Sequence, residues 1–250
     1  MSFYTRVLRV IRQSNVLLEI LDARFPEQTR NPYLERRILS EGKKLILIMN
    51  KSDLISLRQA KAFKEELERE HPVVFVSSSK RKGINRLKTL LTALSRAQKI
   101  KVGVFGYPNS GKSSLVNALK GRHVAGTSIK AGFTHGEKLI RLTHNISVID
   151  APGIIPLGDK DEFFLILVCA RNPERVKDVE LMALKLIELI QKTSPKKFEA
   201  RYSVKLDSRD PGEVLEEIAL KQGMLLKQGL PNLEAIARRI LLDWQKGFLQ

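Results

Sequence analysis

Cysteine, acidic residues and long apolar runs are all in short supply in this chain of 250 residues. Its single cysteine, Cys169, excludes an internal disulfide and a cysteine-built zinc site, and it fits a reducing cytoplasm. Cys169 lies in the longest apolar run, Phe163 to Ala170, which is far too short to span a bilayer and reads as core. Met1 to Ser14 interleaves arginine with valine and leucine and has no continuous signal-peptide core. It reads instead as an amphipathic helix, with Val7, Leu8 and Ile11 on the apolar side and Arg6, Arg9 and Arg12 mostly on the other. The acidic deficit is the largest departure from an ordinary composition. Against 44 Lys+Arg there are 27 Asp+Glu, a formal charge of +17 and a pI near 10.1. Such an excess is more than mixed-sign solvation of a Lys/Glu-rich surface requires, and it points to a polyanion as partner. The remaining composition, 43% hydrophobic and 28% charged, is that of a soluble globular chain of one large domain or two modest ones.

Along the chain, short apolar strands alternate with helices. Strands are expected at Val16 to Leu21, Lys44 to Met49, Val73 to Val76, Ile100 to Phe105, Glu137 to Leu142 and Ile146 to Ile149. Helices are expected from near Pro32, over Gln59 to Glu70, Ile84 to Arg96 and Lys112 to Leu119. This alternation predicts an α/β fold with a mostly parallel sheet covered on both faces, whose ligands bind at the carboxyl ends of the strands. From about Asp159 only helical patterns remain. Val179 to Ile190 has a clear helical period, Asp210-Pro211 opens a second helix, and Pro231-Asn232 opens a third that runs to Trp244. The expected division is therefore residues 1–158 as the α/β domain and 159–250 as a small all-helical C-terminal domain.

The chemistry lies in the loops after the strands. Gly106-Tyr107-Pro108-Asn109-Ser110-Gly111-Lys112-Ser113 matches G-x-x-x-x-G-K-[ST] between a strand and a helix. In this P-loop motif, backbone N–H groups wrap phosphates, Lys112 reaches the β/γ-phosphates and the Ser113 hydroxyl binds Mg²⁺; Ser110, Gly111 and Ser114 belong to the same cradle. Asn50-Lys51-Ser52-Asp53 fits N-K-x-D, in which the Asp53 carboxylate accepts from both the ring N–H and the exocyclic amine of guanine. Adenine has no matching donor pair. Ser77-Ser78-Ser79 fits the loop whose backbone N–H meets the guanine oxygen. Asp150-Ala151-Pro152-Gly153 fits D-x-x-G, with Asp150 on a Mg²⁺-bound water and the Gly153 N–H on the γ-phosphate. Thr134 in Gly132-Phe133-Thr134 is the expected switch threonine, closing on Mg²⁺ and the γ-phosphate, with Thr127 and Ser128 as nearby hydroxyls.

The guanine motif precedes the P-loop, an order that defines a circularly permuted P-loop GTPase. Together with Asp22-Ala23-Arg24-Phe25-Pro26, Arg30-Asn31-Pro32 and the tail motifs Asp210-Pro211, Lys221-Gln222-Gly223 and Pro231-Asn232, these residues resemble the circularly permuted YlqF/RbgA-like ribosome-assembly GTPases, in an archaeal or related form. The resemblance covers most of the chain. It implies GTP/GDP and Mg²⁺ as cofactors, a ribosomal subunit precursor or its rRNA as partner, and release on hydrolysis. It further implies that Asn109 helps hold an activating K⁺. Ile154 stands where many GTPases carry a water-orienting glutamine, and an aliphatic chain cannot orient water; slow intrinsic turnover is expected. Bacterial members carry an N-terminal His segment, absent from Met1 to Ser14. That leaves His135 as the nearest candidate for a general base, or else as an exposed or packed histidine. Arg24 and Arg30 read equally as RNA or effector contacts and as structural salt bridges.

Permutation rejoins the old ends through Arg96 to Lys99 and places the new cut after Asp150 to Ile154, so the γ-phosphate sensor is expected to run into the helical domain as a hinge. Residues 160–250 carry 16 Lys+Arg and 14 Asp+Glu, which leaves +15 in residues 1–159. The α/β domain is therefore the expected RNA contact, with Lys43-Lys44 and Lys80-Arg81-Lys82 as its clusters. A monomeric ribosome-assembly GTPase is the leading reading. A GTPase with another structured RNA as client and a GTP-binding scaffold with little hydrolysis are the alternatives.

Overall fold

A computed structural model describes residues 3–121, 138–150 and 161–249. By its internal contacts the chain divides into two compact units, Met1–Gly158 and Asp159–Gln250.

The first unit is built on six strands: β1 (Val16–Asp22), β2 (Lys44–Asn50), β3 (Val73–Phe75), β4 (Ile100–Gly106), β5 (Lys138–Arg141) and β6 (Ile146–Asp150). They are ordered β3-β2-β1-β4-β6-β5, every neighbouring pair parallel except β5 with β6. All seven residues of β1 are buried, as an interior parallel strand requires. Its alternate residues feed two separate cores. Leu18 and Ile20 join Ile46, Ile48, Val102 and Val104 beneath α5 (Ile84–Leu94) and α6 (Lys112–Lys120). Leu17 and Leu21 join Leu45, Leu47 and Phe105 on the opposite face, under α1 (Phe3–Gln13) and α3 (Pro32–Ser40). The sequence reading of α1 as amphipathic holds, with Val7, Val10 and Ile11 fully buried. Between β1 and α3 runs the one-turn α2 (Pro26–Thr29); α4 (Leu57–Leu67) follows the guanine motif and starts with a capping box of Ser56 and Gln59.

Glu19 lies mid-strand in β1: wholly buried, it accepts the Asn31 N–H through Oε1 at 2.7 Å. Burial and the neighbouring Glu35 push its carboxyl well above the usual carboxylate range. Both effects favour the neutral carboxyl in the fold.

The second unit is helical: α7 (Glu162–Leu167), α8 (Val179–Thr193), α9 (Pro195–Tyr202), α10 (Pro211–Lys221) and α11 (Leu233–Gln245). Helix α8 buries Ala183, Leu186, Ile187 and Ile190, and α11 buries Ile236, Ala237, Ile240 and Leu241, so each turns one apolar stripe inward. The expected starts are present, with the Asp210 carboxylate accepting from Gly212 and Glu213 N–H and the Asn232 amide oxygen from Ala235 N–H. Cys169 is buried, as expected of core, and sits in a left-handed conformation just past α7.

Candidate nucleotide site

The motif loops converge because their strands end together. Asp22 pairs with Asn50 across β1 and β2, Ile20 with Gly106 across β1 and β4, and Val104 with Asp150 across β4 and β6. The chain reverses its direction of progress across the sheet between β1 and β4. That crevice is where an open α/β sheet binds ligands.

At the phosphate end, β4 runs out at Gly106 and α6 begins at Lys112, so only five residues connect them. Asn109 (φ 55°) and Gly111 (φ 96°) are both left-handed and flank Ser110, which curves the backbone into an anion-binding nest. No side chain caps the first turn of α6, and its N–H groups remain available to an anion. The Ser110 hydroxyl is buried with no hydrogen bond among the described residues. Lys112 is buried and donates to the Tyr107 carbonyl at 2.7 Å. Burial lowers its ammonium to about pKa 8, against the opposing attraction of Asp150. Ser113 Oγ donates to Asp150 Oδ2 at 3.1 Å, bringing together two hard oxygen donors of the kind Mg²⁺ takes. A helix start uncapped and a hydroxyl unpartnered among the described residues, with a buried cation beside them, fit a polyphosphate, and the oxygen pair fits its metal.

At the other end Asn50 organises the site. Its Nδ2 donates to the Ser110 carbonyl at 2.7 Å, and its Oδ1 accepts from the Ser78 N–H at 3.1 Å and the Ser78 hydroxyl at 2.9 Å. One buried amide thus joins the guanine motif, the P-loop and the serine loop. The sequence assigns Asn50 and Ser78 to the ligand; in the structure they satisfy each other. Lys51, left-handed at φ 61°, pairs through Nζ with Asp22 Oδ2 at 2.9 Å. Asp53 is mostly buried. Desolvation raises its carboxyl, but the Ser77 hydroxyl and the Lys80 ammonium (3.2 Å from Oδ2) outweigh that and hold it below the usual range, ionised and able to accept.

Several cations expected at a nucleic-acid surface are engaged inside the protein. Arg24 grips Asp22 through Nε (2.8 Å) and Nη2 (2.6 Å), and Arg30 lies buried against Glu35 and Glu70 at 2.6 and 2.5 Å. Of the two readings left open for these arginines, the structural salt bridge holds. Glu35, Glu70 and His71 have metal-ligand spacing, but the Arg30 guanidinium already pairs with both carboxylates. Lys43 donates to the Ile11 carbonyl at the end of α1, a favourable place for a cation, and pairs with Glu41 at 3.1 Å. Arg81 donates to the Ala118 carbonyl at 3.2 Å. The expected clusters are thus only partly free: a charge run reads the same whether its members are solvated or paired.

Thr127, Ser128, Gly132, Phe133, Thr134, His135, Ala151, Pro152, Gly153 and Ile154 lie outside the described residues. Sequence reasoning missed Asp22 as an ionic hub and Lys80 as the partner of Asp53. Only Asp22, in Asp22-Ala23-Arg24, carried a local signal, a carboxylate two residues from an arginine.

Residues 101–206 match the family described as 50S ribosome-binding GTPase. This part of the chain is similar to that GTPase family. The whole chain is similar to an uncharacterized GTP-binding protein of Methanocaldococcus jannaschii, 36% identical over 97% of the chain and 65% of that protein. It is 34% identical to nucleolar GTP-binding protein 2 of Neurospora crassa over 98% of the chain, spanning 40% of that longer protein. Among solved structures it resembles GNP-bound YlqF from T. maritima, with a TM-score of 0.67 at 24% identity, covering 98% of the chain and 93% of YlqF. GDP-bound YlqF gives a TM-score of 0.70 over 96% and 94%. The fold is that of a circularly permuted GTPase.

Proposed function

We propose that this chain binds and hydrolyses GTP in ribosome assembly, binding rRNA within a precursor of the large subunit and leaving on hydrolysis. The observation that carries the reading is the Ser113–Asp150 pair beside buried Lys112, on the same strand edge as the ionised Asp53. In this reading the amides of Asn109 to Ser114 cradle the phosphates and Lys112 meets the β/γ oxygens. Ser113 and Asp150 would hold Mg²⁺, which would supply positive charge against the phosphates. Asp53, oriented by Ser77, accepts the two guanine donors, and Asn50 holds the phosphate and base loops at a fixed separation. Asn109 as a K⁺ ligand, Thr134 and Gly153 on the γ-phosphate and His135 as general base rest on the motif resemblance. The ribosomal partner is supported by the family description, by the nucleolar relative and by the +15 carried by residues 1–159. The single cysteine supports a cytoplasmic protein, and among the described residues no helix is long and apolar enough to cross a membrane.

Two measurements test this. Asp53→Asn is expected to weaken GTP binding by about 2–4 kcal/mol, the scale of a charged bidentate contact, and to favour xanthosine triphosphate. Unchanged GTP affinity would remove Asp53 from the site. Turnover with and without large-subunit particles, in K⁺ and in Na⁺, is expected to rise with the particles and with K⁺. Turnover indifferent to ribosomal particles would overturn the ribosomal reading.

A further inference from the structure

The turn after β3 carries three consecutive cations, and its backbone is rigidly set. Ser77 and Lys82 exchange two backbone hydrogen bonds at 3.0 and 3.1 Å, and Arg81 is left-handed at φ 55°. Gly83 follows at φ 74°, where a Cβ would meet the Phe75 carbonyl oxygen at 2.1 Å, so no other residue fits without a shift. Arg81 ties the turn to the last turn of α6 through the Ala118 carbonyl. Within this frame the Lys80 N–H donates to Ser77 Oγ, and the Lys80 ammonium reaches Asp53. The two ends of that ion pair differ: the Asp53 side chain is 11% exposed and that of Lys80 is 60% exposed. The carboxylate stays in place and the ammonium is free to leave.

We propose that Lys80 is shared between two partners, Asp53 and an RNA phosphate, so that guanine-nucleotide binding and RNA binding at this turn strengthen each other. The proposal rests on the reading of Asp53 as the guanine acceptor. Guanine donors arriving at Asp53 compete with the ammonium; the released Lys80 then stands in solvent beside exposed Lys82, and the turn presents one more cation to solvent than before. In reverse, a phosphate that draws Lys80 away bares Asp53 for the base. Linkage requires the same factor in both directions. An ion pair with one exposed partner corresponds to a factor of about two to five at low salt. GDP and GTP share the base, so the device reports that a nucleotide is present, not how many phosphates it has.

The test is Lys80→Gln, which keeps the length of the side chain and removes its charge. GDP affinity is measured by calorimetry at low and high salt. RNA affinity is measured by the anisotropy of a fluorescein-labelled mixed-sequence RNA, with and without GDP. Lys80→Gln is expected to bind GDP about two- to fivefold more tightly than the parent at low salt, with the gap closing as salt screens the pair. GDP is expected to tighten RNA binding by a similar factor in the parent and to have no effect in Lys80→Gln. Equal or weaker GDP binding by the variant, or a GDP effect on RNA that survives the substitution, overturns the proposal. Asp53→Asn separates the failures. If it retains full GDP affinity, the guanine assignment itself has failed; if it loses affinity while Lys80→Gln changes nothing, only the sharing of Lys80 has.

Discussion

The Asn50 side-chain amide donates to the Ser110 carbonyl at 2.7 Å across 60 residues of sequence. It directly links the guanine motif to the P-loop. Because Asn50 also holds Ser78 twice, Asn50→Ala leaves the Ser110 C=O and the Ser78 N–H unpaired in a buried site. A loss of about 2–4 kcal/mol of stability is expected, the cost of two such groups, together with weaker nucleotide binding. Urea unfolding and GDP titration of the variant check both.

Gly111 meets the same amide. At φ 96° it has a conformation that disfavours a side chain, and a Cβ there would stand 2.1 Å from Asn50 Nδ2. Gly111→Ala is expected to destabilise by about 2 kcal/mol or more and to abolish tight nucleotide binding. Because part of the cost is the clash with Asn50, the double variant with Asn50→Ala should lose less than the sum of the two. A double-mutant cycle measures the coupling, and strict additivity would show that the two side chains do not meet.

Lys112 gives nucleotide binding a pH signature. Burial lowers its pKa to about 8, whereas a bound phosphate favours the ammonium and raises it again. Near pH 8 roughly half of the protein holds a neutral Lys112, so binding should take up about half a proton, and almost none near pH 6.5. Affinity should fall as pH rises beyond 8. Calorimetry in buffers of differing ionisation enthalpy reads the uptake directly; no uptake at pH 8 would mean that Lys112 is already fully charged.

Glu19 acts with the opposite sign. Its carboxyl is raised by burial and by Glu35, so between its unfolded and folded pKa values the native chain binds the extra proton. Stability from this group is complete below the unfolded value and is lost as pH rises through the folded one. Glu19→Gln keeps an acceptor for the Asn31 N–H and a donor for Glu35 without needing a proton. The variant should match the parent near pH 4 and exceed its stability near pH 8, as read from thermal melts across that range.

The strands and the motif loops were legible because each rests on a local pattern. An interior parallel strand is an apolar run, as in Lys44–Asn50, and a P-loop is punctuation between a strand and a helix. Helix α9 was not outlined: its buried face consists of only Phe198 and Tyr202, too few positions to show a period. Ionic partners were not legible either. Nothing near Lys80 in the sequence indicates Asp53, nothing near Arg81 indicates Ala118, and Arg30 finds Glu70 only because the folded sheet brings their loops together. Pairings made by topology leave no periodic trace.

Glu19 also bears on synthesis. Strands β1 to β3 leave the ribosome before β4, so for a time β1, flanked on one side by β2, offers its other edge unpaired. An apolar strand with an open edge invites pairing with another nascent chain, and an inward-facing charge is one way proteins discourage it. The partners of Glu19, Asn31 and Glu35, lie before β4 in the chain, so its carboxyl is enclosed by the start of α3 and not by the strand that closes the edge.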